Sequence, residues 1–170
     1  MSSYLYALCI ILSMLFSISC RPMYNNQPVG GRNDRSLRND PIYTDKVAYQ
    51  LYQVIDEFMG VPYKKGGSSA MGMDCSGFVH VVFDKSINLD LGRTTSEQFK
   101  LGQEVKKRDL KYGDLVFFDF TGEKKKVTHV GIYVGNSQFV HASTTRGVVT
   151  DRLDQTEYLQ SYVGAKRVYP

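Results

Sequence analysis

Three residues among the 170 have types and spacing suited to acyl-transfer chemistry: Cys75, His129 and His141. Cys75 follows Asp74, a good helix cap, and so falls in the first turn of an expected helix, where the partial positive charge of the N-terminus favours a thiolate. That position predicts a thiol that alkylates faster at about pH 6–7 than a free cysteine does. Gly77, two residues on, leaves space beside the sulfur for a substrate backbone. A nucleophilic thiol needs a base, and the base needs a partner that orients it. Of the three histidines, His80 lies on the expected Cys75 helix, about 140° around its axis from the thiol, and reads as a structural or surface residue.

His129 and His141 fall in two runs that read as a β-hairpin, and its register decides whether they meet. A two-residue loop would pair Val134 with Ser137 and put the imidazoles on opposite faces. A three-residue loop, Gly135-Asn136-Ser137, pairs Val134 with Gln138, Ile132 with Val140 and Gly131 with His141. His129 then lies diagonally beside His141 on one face, while Val130, Ile132, Val140 and Ala142 form an apolar face on the other. Gly131 leaves room for the second imidazole. This register is expected, with His129 as general base and acid for Cys75 and His141 fixing its tautomer and orientation. The alternatives are that Cys75 is a small buried residue at a helix start, or that one cysteine and two histidines hold zinc. No fourth ligand is evident, so no metal and no cofactor are expected.

The elements that must position these residues follow from periodicity. Thr44 can cap a helix from Asp45 to Met59, with Val47, Leu51, Val54, Ile55 and Phe58 on one face and Gly60 and Pro62 ending it. A glycine-containing loop (Gly66, Gly67, Gly72) leads into the Cys75 helix, whose buried face is Phe78, Val79, Val82 and Phe83. Thr94 and Thr95 read as the cap of a short helix through Phe99. From Leu115 the pattern turns to strands: Leu115 to Phe120, Val127 to Val134, Gln138 to Ser143, Val148-Val149, and Val163 to Tyr169. Helices first and a meandering antiparallel sheet second is an α+β layout.

Composition narrows the class. Hydrophobic residues make up 42% of the chain, and 12 Tyr and 9 Phe suffice for a packed core, which excludes wholesale disorder. Three cysteines (Cys9, Cys20, Cys75) are too few for a disulfide scaffold or a four-cysteine zinc module. The first twenty residues carry no charge and centre on an apolar run from Tyr4 to Phe16, followed by Ser17-Ile18-Ser19-Cys20. This segment resembles a bacterial lipoprotein signal in which Cys20 becomes the lipidated N-terminus; a soluble secreted form and an uncleaved anchor are the alternatives. Residues 21–41 are rich in Asn, Arg, Gly and Pro and read as a flexible linker. Their four arginines and two aspartates supply half of the net charge of +4. What remains is too little to call for a nucleic-acid partner. The expected organisation is therefore a signal peptide at 1–20, a linker at 21–41 and one domain at 42–170.

The domain resembles the NlpC-type cysteine peptidases of bacterial cell walls. The matching segments, in family order, are Val61-Pro62-Tyr63 with Gly66-Gly67, then Gly72-Met73-Asp74-Cys75-Ser76-Gly77-Phe78-Val79. Arg93-Thr94-Thr95-Ser96 with Gln98, Gly113-Asp114-Leu115-Val116-Phe117-Phe118, His129-Val130-Gly131-Ile132-Tyr133-Val134-Gly135 and Phe139-Val140-His141-Ala142-Ser143-Thr144 follow. The resemblance implies a papain-like core with the nucleophile-bearing helix packed on an antiparallel sheet, and a Cys75–His129–His141 triad. It places Tyr63 near the nucleophile as an oxyanion donor beside the Cys75 backbone N–H, and Asp74, Ser76 and Arg93 along the substrate cleft. On the residues alone, Asp74 and Ser76 can equally be helix caps and Arg93 a surface ion pair. Gly92 stands where the family commonly has proline.

By the same resemblance the substrate is the peptidoglycan stem peptide, cut at the D-Glu–diaminopimelate or the D-Ala–diaminopimelate bond through a thioester. The short linker leaves no room for an SH3-like domain, which points to crosslink or stem cleavage in intact wall. A thiol amidase or acyltransferase on the same scaffold and a non-catalytic peptidoglycan-binding protein are the competing readings. The expected setting is the cell envelope, as a monomer held by its N-terminal lipid. Arg21 after the lipidated cysteine points to the outer membrane, facing the periplasm.

Overall fold

The structure, a computed structural model, describes residues 45–123 and 126–169. The expected signal peptide, Cys20 and the linker lie outside the described residues. Helix α1 (Lys46–Phe58) is capped by Asp45, whose backbone is extended and whose carboxylate accepts the N–H groups of Val47 and Ala48 at 2.9 and 3.1 Å. The cap is thus Asp45; Thr44, expected in that place, lies outside the described residues. Leu51, Ile55 and Phe58 are buried as their spacing requires, and Ala48 joins them. Helix α2 (Cys75–Ile87) is capped by Asp74 and ends at Asn88 in the left-handed conformation. Phe78, Val79, Val82 and Phe83 are all fully buried. Between the two helices a small hairpin of β1 (Ser68–Ser69) and β2 (Gly72–Met73) precedes the cysteine. Helix α3 (Thr95–Phe99) has Thr94 and Glu97 in a reciprocal capping box.

The remaining strands are β3 (Gln103–Val105), β4 (Leu115–Phe118), β5 (His129–Gly135), β6 (Gln138–Ser143), β7 (Gly147–Arg152) and β8 (Tyr162–Arg167), with α4 (Thr156–Ser161) between the last two. They form a six-stranded sheet in the order β3-β8-β4-β5-β6-β7, and every adjacent pair is antiparallel. Four elements carried no usable signal in the sequence. The β1/β2 pair is too short for a period, β3 is three residues long, Lys107–Asp109 is a single 3-10 turn, and α4 begins after Gln155 without a side-chain cap. Strand β4 stops at Phe118 because Asp119 donates its N–H to Ser161 instead of a sheet neighbour.

The β5–β6 hairpin corrects the expected loop while keeping the expected register. Gly135 pairs with Gln138, so the connection is two residues, Asn136-Ser137, both left-handed (φ 51° and 58°). That is the primed turn whose twist suits a hairpin. The register then shifts between Tyr133 and Gly135, leaving Val134 as the additional residue of a bulge, and Ile132 meets Val140 as expected. A Cβ built on Gly131 would lie 3.2 Å from that of His141 and 2.6 Å from the Phe139 ring, so only glycine fits opposite this imidazole.

The sheet separates two cores. Leu115, Phe117, Val130, Ile132, Val140, Ala142 and Val148 pack with α1 and α2 on one face. Val116, Phe118, Phe139, Leu153, Tyr158 and Ala165 pack on the other, beneath α4. The period of two along each strand produces this division. Asp114, fully buried before β4, is held by the Arg167 guanidinium of β8 at 2.7 and 2.8 Å.

The space beside Gly77 is occupied by protein, contrary to its expected use for a substrate. A Cβ there would stand 2.2 Å from the Gly67 carbonyl oxygen and 3.0 Å from Asp74 Oδ1 and Arg93 Nη2. Gly77→Ala is therefore expected to cost about 1–3 kcal/mol of stability, the range for overpacking a closed site. Urea unfolding would read this as a lower midpoint at constant slope; an unchanged midpoint would mean that the Gly66–Gly67 turn gives way freely.

Candidate functional site

The thiol is set by the start of α2. Asp74 accepts the Gly77 N–H at 2.7 Å, the Gly66 N–H at 2.8 Å, the Ser76 hydroxyl at 3.2 Å and both Arg93 Nη groups at 2.8 and 2.9 Å. Arg93 also donates to the Gly67 carbonyl, and buried Gln98 donates to the Ser76 carbonyl. Cys75 is 8% exposed, with Thr95 Oγ1 3.8 Å from its sulfur. The backbone N–H of Val130, the residue after His129, favours the charged form of the sulfur. The thiol thus meets the sheet where β5 begins.

Burial pushes the Cys75 thiol above its usual range; the negative charge of Asp74 adds to this, and the hydrogen bonds from Thr95, Val130 and Ser76 oppose it without reversing it. This overturns the expectation of a thiol lowered by the helix N-terminus. Tyr63, bridged to Met73, is likewise raised, first by burial and then by the charges of Cys75 and Asp74, so its hydroxyl keeps its proton.

The imidazoles meet as the register requires. His129 Nε2 and His141 Nδ1 are 2.8 Å apart, with the rings nearly perpendicular. His129 lies among Phe118, Phe120 and His141, while His141, 2% exposed, stacks on Phe139. Burial lowers the pKa of His129 to about 3, assisted by His141 and opposed by Asp151. Burial lowers that of His141 too, although Asp151 pulls the other way. At neutral pH both rings are neutral.

A further carboxylate completes the cluster. His141 Nε2 is 2.9 Å from Asp151 Oδ2. Tyr158 donates its hydroxyl to the same oxygen at 2.6 Å, and Arg146 grips the carboxylate at 2.5 and 3.1 Å. Burial would raise the pKa of Asp151, but Arg146, Tyr158 and His141 together hold it at about 2. Sequence reasoning missed these three residues and Thr95. Reading β7 as only Val148-Val149 left Asp151 out, whereas a strand running on to Arg152 puts it, two residues beyond the His141 partner Val149, on the imidazole face. His80 lies apart, its Nδ1 3.4 Å from Asp90 Oδ1.

Comparison with known proteins gives concordant findings. A family profile described as the NlpC/P60 family matches residues 60–167. A "Probable endopeptidase" of Haemophilus influenzae (strain ATCC 51907 / DSM 11121 / KW20 / Rd) is 43% identical over 159 residues, covering 94% of this chain and 95% of its own. The "Murein DD-endopeptidase MepS/Murein LD-carboxypeptidase" of Escherichia coli (strain K12) is 43% identical over 112 residues, 66% of this chain and 58% of that protein. The match thus spans little more than half of the latter's length. The crystal structure of an NlpC/P60 family protein from Bacillus cereus ATCC 10987 superposes with a TM-score of 0.67 at 35% identity, over 72% of this chain and 40% of that one. The fold is the papain-like α+β arrangement.

With the thiol raised and the imidazoles lowered, Cys75 rests as a neutral thiol at pH 7. Its alkylation by iodoacetamide is expected to be slow at pH 6–7 and to climb with pH through a midpoint above the usual thiol range. A midpoint below that range would mean that the helix N-terminus outweighs burial.

Proposed function

The chain belongs to the NlpC/P60 family, and on that premise we propose that it is a cysteine endopeptidase acting on peptidoglycan stem peptides through Cys75, His129 and His141. The observation that carries this reading is the 2.8 Å contact between His129 and His141, next to Val130, whose backbone N–H meets the Cys75 sulfur. It is the arrangement a base and its orienting partner need. The names of the H. influenzae and E. coli relatives support the reaction class and the murein substrate.

Because both partners rest neutral, His129 takes the thiol proton as the sulfur attacks the amide carbonyl carbon; no standing ion pair is needed. The carbonyl π electrons move onto oxygen, and the oxyanion is held by the Cys75 backbone N–H and by the Tyr63 hydroxyl, whose raised pKa keeps it a donor. The C–N bond then breaks, His129 gives its proton to the leaving amine, and a thioester remains. Water attacks the thioester with His129 again as base, and the sulfur leaves with the proton returned to it. No metal or other cofactor enters these steps.

In this reading the bonds cut are D-Glu–diaminopimelate or D-Ala–diaminopimelate. Asp74, Ser76 and Arg93 line the cleft as substrate-binding residues while bracing one another. The protein works as a monomer, acylated at Cys20 and held at the outer membrane facing the periplasm. Cys20→Ser is then expected to move it from the membrane to the soluble fraction of fractionated cells, and continued membrane association would overturn the lipid anchor.

Mass spectrometry of muropeptides after digestion of purified sacculi tests the activity. Wild type is expected to release cut stems or opened crosslinks, folded Cys75→Ala none, and His129→Ala at least about 10²-fold less. Sugar–peptide cleavage with stems intact would make it an amidase. Unaltered function in Cys75→Ala would make it a binding protein.

A further inference from the structure

The group behind the two imidazoles is a built site. Asp151 is only 7% exposed, yet its Oδ2 receives three donors: His141 Nε2, the Tyr158 hydroxyl and Arg146 Nη2. Arg146, half-exposed, closes the fork on Oδ1. A carboxylate so surrounded stays ionised, and an ionised carboxylate only accepts hydrogen bonds.

That constraint propagates. Facing an acceptor at 2.9 Å, His141 must carry its proton on Nε2, which leaves Nδ1 of the neutral ring as an acceptor. His129 Nε2, 2.8 Å from that acceptor, must then be the protonated nitrogen. The remaining nitrogen, Nδ1 of His129, is left with its lone pair. Tyr158 lies 3.3 Å from His141 Nε2 but cannot compete for it, because its single proton is committed to Asp151 at 2.6 Å.

We propose that Asp151 is a positioning residue that fixes the tautomers of both histidines, so that Nδ1 of His129 is the bare nitrogen available to the Cys75 thiol. The proposal rests on the peptidase reading for its catalytic consequence but not for its chemistry, which is a property of the free protein. When His129 takes the thiol proton at Nδ1, its Nε2 proton can shift toward His141 Nδ1. The positive charge then spreads onto the ring that lies against the carboxylate. Arg146 and Tyr158 hold Asp151 in place for this. Without the carboxylate, the Tyr158 hydroxyl is free to donate to His141 Nε2. The chain of donors then runs backwards and puts the proton on Nδ1 of His129, where it blocks the base.

The test is nitrogen NMR of the full chain labelled with 15N-histidine at pH 7, which separates protonated from bare ring nitrogens for the three imidazoles. Wild type is expected to show His129 and His141 both protonated at Nε2 and bare at Nδ1; a proton on Nδ1 of His129 would overturn the proposal. This measurement needs no variant to fold. In Asp151→Asn, His129 is expected to gain a population protonated at Nδ1, and kcat on muropeptides to fall by up to about 10⁴-fold, the scale on which a wrong tautomer acts, with KM little changed. Unchanged tautomers in that variant, or unchanged kcat with altered tautomers, would overturn it. Cys75→Ala separates the two readings, since it abolishes the proposed hydrolysis while keeping the wild-type tautomers. A protein with the expected spectrum and no activity on stems would refute the peptidase and leave the tautomer assignment standing.

Discussion

The carboxylate of Asp74 joins three separate segments of the chain. It caps α2, accepts the Gly66 N–H from the turn before β1, and holds the Arg93 guanidinium from the loop before α3. Arg93 in turn reaches the Gly67 carbonyl, and α3 brings Thr95 to the sulfur. A helix cap alone contributes about 1 kcal/mol, and the charged fork adds directional bonds that a lone cap lacks. The same charge acts on the thiol with the opposite sign: the group that fixes Cys75 in space also disfavours its thiolate. Placement has been favoured over a permanently ionised thiol, and in the proposed reaction His129 takes the thiol proton in each attack.

The sheet imposes the second constraint. The face packed on α1 and α2 is apolar, and the histidines belong to the face shared with Phe118, Phe139 and Tyr158. Thiol and imidazoles therefore approach one another at the rim where β5 starts, not across the core. A half-buried His129 at that rim can be reached from solvent, while the groups behind it, His141 and Asp151, are enclosed. Enclosure matters because hydrogen bonds are electrostatically stronger in the low-dielectric interior than in water.

Much of the fold is legible residue by residue. The apolar spacing in α1 and α2, Asp74 as a cap, Thr94 as a cap, and the alternation along β5 and β6 are local signals, and each survives in the structure. The hairpin shows where locality ends. The apolar pairing of Ile132 with Val140 is readable because a one-residue slip would expose a whole face. How the chain closes is not, since a three-residue loop and a two-residue turn with a bulge at Val134 give the same pairing further along. The very short strands β1, β2 and β3 exist only through their partners and have no period to read.

For the site, the sequence by itself determined the thiol, the two imidazoles and their adjacency, because each follows from residue type, a cap or the two-residue period of a strand. The direction of the Cys75 pKa shift was decided only by tertiary structure: a helix N-terminus is visible in sequence, but the burial that outweighs it is not. The fate of the space at Gly77 was decided in the same way, by a carbonyl ten residues earlier in the chain. So were the surroundings of Asp151, which depend on β7 running far enough to bring it level with the histidine face and on Tyr158 and Arg146 converging there. Residue types and local periods are carried by the chain itself. Desolvation, enclosure and the meeting of distant donors on one oxygen come into being only when the elements pack.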